Sequence, residues 1–305
     1  MGELFIRYEY ALAASQLVLA MLGMGATLRA GDFLAVARGP KAFLTGTLCQ
    51  MLAVPLLALL LIGVLPVHLG VAVGLAILAA IPGGTISNIF TFVARGNVAL
   101  SIAITAVTTL LCVLTVPIVL QVLIRDFVPP DFEMPAARMA AEIVLFLLLP
   151  LAAGMLLLRL LPNVAAPVAR WAVRASLVFV GLIVAGAALA GRLDWGALGA
   201  ANIAIVVAFA LALVALSALL TRACRLAAED RTAISIEVVV RNINLGVMVK
   251  SSLLPAATAG SLADLALFTL LLYGGLMMLI ALPLMLRRRR LAGISLATGT
   301  QASGV

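Results

Sequence analysis

Long apolar runs, following one another with only short polar joints between them, restrict what this chain can fold into more than any other feature. A run of about 20 apolar residues rises far enough as a helix to cross a bilayer core. A helix also satisfies its own backbone groups, which lipid demands. Nine such runs are read, over about 8–28, 42–64, 68–94, 97–124, 138–160, 166–190, 195–221, 229–252 and 261–286. Composition agrees, since 65% of the 305 residues are hydrophobic and 10% charged, where a soluble domain carries about 25% charge. The expected fold class is an all-α polytopic membrane protein with nine transmembrane helices, occupying residues 1–291. The small and polar residues from about 292 to 305 read as a disordered tail.

The net charge of +8 does not indicate nucleic acid, because the basic residues sit in the joints between apolar runs. Arg29, Arg38, Lys41, Arg95, Arg159, Arg170, Arg174, Arg222, Arg225, Arg231 and the run Arg287 to Arg290 share one side. Arg7, Arg125, Arg138, Arg192 and Lys250 share the other. The heavier side is cytoplasmic by the positive-inside rule, which puts the N-terminus outside and the C-terminus inside. The first run lacks the basic flank and Ala-x-Ala site of a signal peptide and reads as an integral helix. Cys49, Cys112 and Cys224 stand singly, and His68 lies at a helix boundary, so neither a disulfide framework nor a transition-metal site is indicated. Glu9, Glu142 and Asp264 fall near the starts of their runs and read as interfacial and solvated. Glu237 alone among the acids reads as deep in the membrane, with Arg241 four residues on.

Two runs are not continuous apolar helix. The third contains Ile81-Pro-Gly-Gly-Thr-Ile-Ser-Asn-Ile-Phe90, where Pro82 lacks a donor and Gly83 and Gly84 permit turns. The eighth contains Arg241-Asn-Ile-Asn-Leu-Gly246, a polar cluster within an apolar run. Broken backbone at membrane depth survives only when buried in protein or lining a cavity. Interrupted helices at corresponding positions of two halves are the best sequence indication of a transporter binding site. Spans 1–4 then correspond to spans 6–9, as an inverted repeat in which span 5 has no partner.

The fourth run places Ser101 and Thr105 four residues apart, hence on one helical face. With Ser87 and Asn88 at the first break and Glu237 from the eighth run, they make an all-oxygen set suited to a small hard cation such as Na⁺, with one carboxylate to offset its charge. A single Ser or Thr in a membrane helix more often bonds back to a carbonyl of its own helix. The break, Asn88 and Glu237 together favour the ion shell.

The segments Pro82-Gly-Gly-Thr-Ile-Ser-Asn88 and Ala94-Arg-Gly-Asn-Val-Ala-Leu-Ser101, with Ile236-Glu-Val238 and Asn242, resemble the bile acid:sodium symporter family. Gly23-Met-Gly-Ala-Thr-Leu-Arg-Ala-Gly-Asp-Phe33 is similar as well, and the resemblance runs from about Gly23 to about Leu286. It implies crossed discontinuous helices in a core domain, about 42–124 and 195–286, moving against a panel domain, about 8–28 and 138–190. It implies a first sodium site at Ser87, Asn88, Ser101, Thr105 and Glu237. A second site would use Gln50, Glu237 and carbonyls near Val238 and Val240, with a glutamine where this chain has Arg241. A guanidinium has no acceptor and cannot ligate Na⁺. Either Arg241 occupies the second ion's place, paired with Glu237 and bonded to the Gln50 amide oxygen, or it bends towards water or anionic lipid.

Half-helix N-termini at the two breaks suit an anionic substrate, with Thr85 and Asn242, and less directly Asn244, as the nearest side chains. The expected function is therefore a symporter that imports an organic anion, bile-acid-like or a small carboxylate, with Na⁺ by alternating access. One Na⁺ is expected and no organic cofactor. The expected partners are the anion, Na⁺ and membrane lipid, with no obligate protein partner, and the expected location is a bacterial inner membrane. A proton-coupled or uniport carrier using Glu237 is the alternative. No HExxH, GxSxG, Asp pair or Cys-His set supports an intramembrane enzyme, and no repeated filter segment supports a channel.

Overall fold

Every run of regular structure in the computed structural model is helical, as the apolar runs predict. The structure describes residues 2–29, 31, 40–84, 86–125, 133–254 and 256–302, with backbone alone for 2, 256–259 and 287–302. We label the helices α1 (Gly2–Gly25), α2 (Pro40–Val64), α3 (Leu69–Ala80), α4 (Ile86–Val93), α5 (Val98–Leu123) and α6 (Ala136–Leu160). These are followed by α7 (Pro162–Leu189), α8 (Trp195–Ala223), α9 (Ala228–Val239), α10 (Ile243–Leu253) and α11 (Ala256–Ala302). Among the described residues, six are long and apolar enough to cross a membrane: α2, α5, α6, α7, α8 and α11 from Gly260 to Leu286. The third and eighth runs are split into α3–α4 and α9–α10, at the two interruptions read from the sequence. Helix α11 continues to Ala302, through the segment read as a tail.

Large apolar side chains face outward along these helices, among them Leu56, Leu60, Leu114 and Leu279. So many exposed leucines on helices of this length are the outer surface of a protein solvated by lipid. Inside, α3 is buried from Gly70 to Ala80 between α11, α5 and α2. Helices α1, α6 and α7 pack on one another, and α1 also lies against α10.

Three acids depart from the sequence reading. Glu9 is 2% exposed and ion-paired to Arg192 and Lys250, so Glu237 is not the only deeply buried carboxylate. Glu142 is buried and bonded by Arg138 and Ser252. Asp264 is partly covered and paired with Arg192. Proximity to the end of a run predicted solvation, whereas the partners lie on other helices, at separations that the local sequence does not reveal.

Candidate functional site

The two breaks meet. Pro82 forces Ile81 into extended backbone, φ −74° and ψ 148°, and α3 stops there. Val240 leaves the helical region at φ −89° and ψ 92°, which ends α9. Backbone released from one helix bonds backbone released from the other: Gly84 N–H donates to Val240 O at 2.8 Å and Asn242 N–H to Pro82 O at 3.0 Å. The result is a one-residue antiparallel bridge, Gly83 opposite Arg241, buried in the protein. Polar groups that lipid could not satisfy thus satisfy each other. Glycine is required at 83 because a Cβ there would lie 2.1 Å from Glu237 Oε1.

Glu237, on the last turn of α9, is fully buried at this bridge. Its Oε2 accepts from Ser87 Oγ at 2.5 Å and Ser101 Oγ at 3.0 Å, and its Oε1 from Thr105 Oγ1 at 2.6 Å. Asn88 Oδ1 accepts from Ser101 Oγ at 2.8 Å and Thr105 Oγ1 at 3.5 Å. The five residues singled out from spacing are therefore within reach of one point, contributed by α4, α5 and α9. Bonds to an ionised acceptor contribute about 1.5–3 kcal/mol each, so three hydroxyls offset much of the cost of a carboxylate in a dry interior. Each of these hydroxyls has a second acceptor, which is Asn88 Oδ1 for Ser101 and a backbone carbonyl for the other two. Ser87 Oγ lies 2.6 Å from Gly84 O, and Thr105 Oγ1 lies 2.9 Å from Ser101 O. Each can turn its proton to that carbonyl and present lone pairs inward, the condition for a hydroxyl to ligate a cation. The back-bonding expected of isolated membrane hydroxyls is thus present at Thr105, beside its bond to Glu237.

Gln50 joins the second region. It lies on a π-helical turn of α2, Cys49–Ala53, the kind of helix defect often found at functional sites. Its Nε2 donates to Glu237 O at 3.5 Å, and its Oε1 accepts from Gly83 N–H at 3.0 Å and Arg241 Nη1 at 3.4 Å. Arg241 is 1% exposed, and its Nε and Nη2 have no hydrogen-bond partner among the described residues. The expected bond to Gln50 is present, but the expected ion pair with Glu237 is not, with no nitrogen within 4.0 Å of the carboxylate among the described contacts. Four residues of separation predict a shared helical face, and the break at Val240 removes that relation.

Of the residues read as substrate contacts, Asn242 is buried and caps α10 by accepting from Leu245 N–H at 3.2 Å. Asn244 is half-buried in the first turn of α10. Thr85 lies outside the described residues. Two members of the site escaped sequence reading. Thr91, on the α4 face that carries Ser87, donates to Ser101 Oγ at 3.3 Å, and its spacing of four from Ser87 was the available signal. Tyr273 Oη donates to Val239 O at 2.7 Å, tying α11 to the end of α9. Nothing local marks Tyr273.

Interrupted helices that meet inside a polytopic membrane protein are an arrangement from which transporters build their binding sites. Residues 14–194 match the model of the Sodium Bile acid symporter family, and the chain belongs to that family. The match covers Gln50, Ser87, Asn88, Ser101 and Thr105 but ends before Glu237, a narrower reach than the motif resemblance up to Leu286. The chain is similar to an uncharacterized sodium-dependent transporter, YocS, of Bacillus subtilis, at 35% identity over 136 residues, 45% of this chain and 41% of that protein. It is similar to a probable chloroplastic sodium/metabolite cotransporter, BASS1, of Arabidopsis thaliana, at 36% over 138 residues, 45% of this chain and 33% of that protein. It is also similar to human sodium/bile acid cotransporter 4, at 35% over 106 residues, 35% of this chain and 24% of that protein. The aligned stretch spans well under half of each relative.

Proposed function

We propose that this chain is a sodium-coupled secondary transporter that imports an organic anion by alternating access. The observation that carries the reading is the convergence of Ser87, Asn88, Ser101 and Thr105 on the buried Glu237 carboxylate. Four neutral oxygens and one formal negative charge suit a monovalent hard cation. The names of the relatives, a sodium-dependent transporter and sodium cotransporters, support the same coupling ion. In this reading α1, the pair α3–α4 and the pair α9–α10 join the six long helices as nine spans. Helices α1, α6 and α7 form the panel, and the others form the core. The N-terminus is outside, the C-terminus cytoplasmic, and the membrane a bacterial inner membrane.

Arg241 stands in for a second ion. Its guanidinium reaches the amide oxygen of Gln50, whose Nε2 donates to the Glu237 carbonyl, so a fixed positive charge sits beside the first site. One Na⁺ then moves per cycle, with no organic cofactor and no catalysis. The anion is held near Thr85, Asn242 and Asn244, where the half-helix N-termini converge.

Uptake of labelled organic monoanions into proteoliposomes tests the reading. An inward Na⁺ gradient should drive accumulation and an inward proton gradient should not. Accumulation driven by protons alone would establish the proton-coupled alternative through Glu237 instead.

A further inference from the structure

The second cluster of buried charge lies away from the crossing. Glu9 on α1 receives Lys250 Nζ of α10 on Oε1 at 2.7 Å and Arg192 Nη1 on Oε2 at 2.8 Å. Arg192, in the turn after α7, donates through Nε to Asp264 of α11. Lys250 is fully buried, and Glu9 and Arg192 nearly so. The four charges sum to zero. Alongside, Glu142 of α6 accepts from Ser252, two residues beyond Lys250 on α10, and from Arg138 Nε at 2.9 Å.

Chain direction puts these groups at one membrane face: the N-terminal parts of α1, α6 and the membrane part of α11, the C-terminal end of α10, and the turn after α7. The bonds run between two groups of helices. Glu9 and Glu142 belong to α1 and α6, which pack with α7, whereas Lys250 and Ser252 belong to α10 and Asp264 to α11. Helix α10 is also the half-helix that Asn242 caps at the crossing, so the cluster and the site sit about 12 Å apart on one rigid rod.

We propose that Glu9, Arg192, Lys250 and Asp264, seconded by Glu142 and Ser252, form a latch that holds this face shut and must part each time it opens. The inference rests on the carrier reading given above. Both acids at its centre are on the panel and their core partners are on α10, so separating panel from core strips Lys250 of Glu9 and Ser252 of Glu142. Removing one member of a buried charge pair destabilises the shut state strongly, because the other charge stays buried without compensation. In the open state Lys250 meets water and loses nothing. A bistable protein then shifts towards the open state in proportion to that difference.

The test reads face opening directly, in the full chain in nanodiscs and without substrate or gradient. Ala13 is fully buried one turn below Glu9 on the same face of α1. Ala13→Cys, in a chain whose Cys49, Cys112 and Cys224 are replaced, reports opening by its rate of alkylation with a membrane-impermeant maleimide. Glu9→Gln and Lys250→Met should each raise that rate about ten-fold or more. Ser252→Ala, a change small enough to keep the fold, should raise it about two-fold or more by loosening the second bridge. Rates unchanged in Ser252→Ala and in folded Glu9→Gln would overturn the latch. A latch that opens as described in a protein that takes up no anion with Na⁺ would leave this inference standing and remove the proposed function.

Discussion

Gly83→Ala is the sharpest perturbation of the proposed ion site, because it adds one methyl group at a known distance from the Glu237 carboxylate. The new Cβ would fall 2.1 Å from Glu237 Oε1 and 2.8 Å from its Cδ, where ordinary contact begins near 3.4 Å. The backbone at 83 has little freedom to retreat. Gly83 N–H is bonded to Gln50 Oε1, and the flanking bonds from Gly84 to Val240 and from Asn242 to Pro82 pin the bridge from both sides. The carboxylate must move instead, by about 1 Å. Oε1 is the atom struck, so its 2.6 Å bond from Thr105 is the first to be lost. A hydrogen bond to a charged group contributes about 1.5–3 kcal/mol. The displaced carboxylate also leaves the point where the neutral oxygens converge, so Na⁺ should bind about 10- to 100-fold more weakly. Equilibrium binding of radioactive sodium to the purified variant in a choline buffer measures this. A variant with unchanged circular dichroism and elution volume whose Kd stays within about two-fold of the parent would refute the reasoning.

Glu237→Ala and Asn88→Ala should each abolish the stabilisation by Na⁺, about 2.7 kcal/mol for the parent at 100 times Kd and read as a rise in melting temperature; a preserved rise in either would remove that residue from the site. Arg241→Gln should create a second ion position, taking the sodium dependence of uptake from hyperbolic to a Hill coefficient near two and making uptake of a monoanion electrogenic. A parent chain already showing both would disprove the substitution of Arg241 for an ion. Cysteines cross-linking α1 or α6 to α10 should arrest transport, and transport that survives such a link at both membrane faces would exclude movement of the panel against the core.

The parts of this fold visible in the sequence are those that local chemistry decides. Pro82 with two glycines, and a polar cluster inside an apolar run, marked both breaks, because lipid allows such residues only where backbone finds other partners. Ser101 and Thr105 were legible through helical spacing, and Ser87, Asn88 and Glu237 through polarity at a forbidden depth. What escaped were relations set by packing between distant segments. Glu9 lies 241 residues from Lys250 and Glu142 lies 110 from Ser252. Neither pairing has a periodic signature, and Glu9 looked solvated only because its run begins nearby. Arg241 shows the opposite failure: the spacing from Glu237 was read as helical, and the helix ends between them.

In the proposed carrier, Glu237 and its four oxygen-bearing neighbours hold the coupling ion. Isothermal titration of NaCl into the purified, sodium-free chain, with Glu237→Gln beside it, measures this most directly. A single saturable site with about one Na⁺ per chain, absent from Glu237→Gln, is the result expected of one carboxylate ringed by neutral oxygens. Undiminished binding in Glu237→Gln would contradict it.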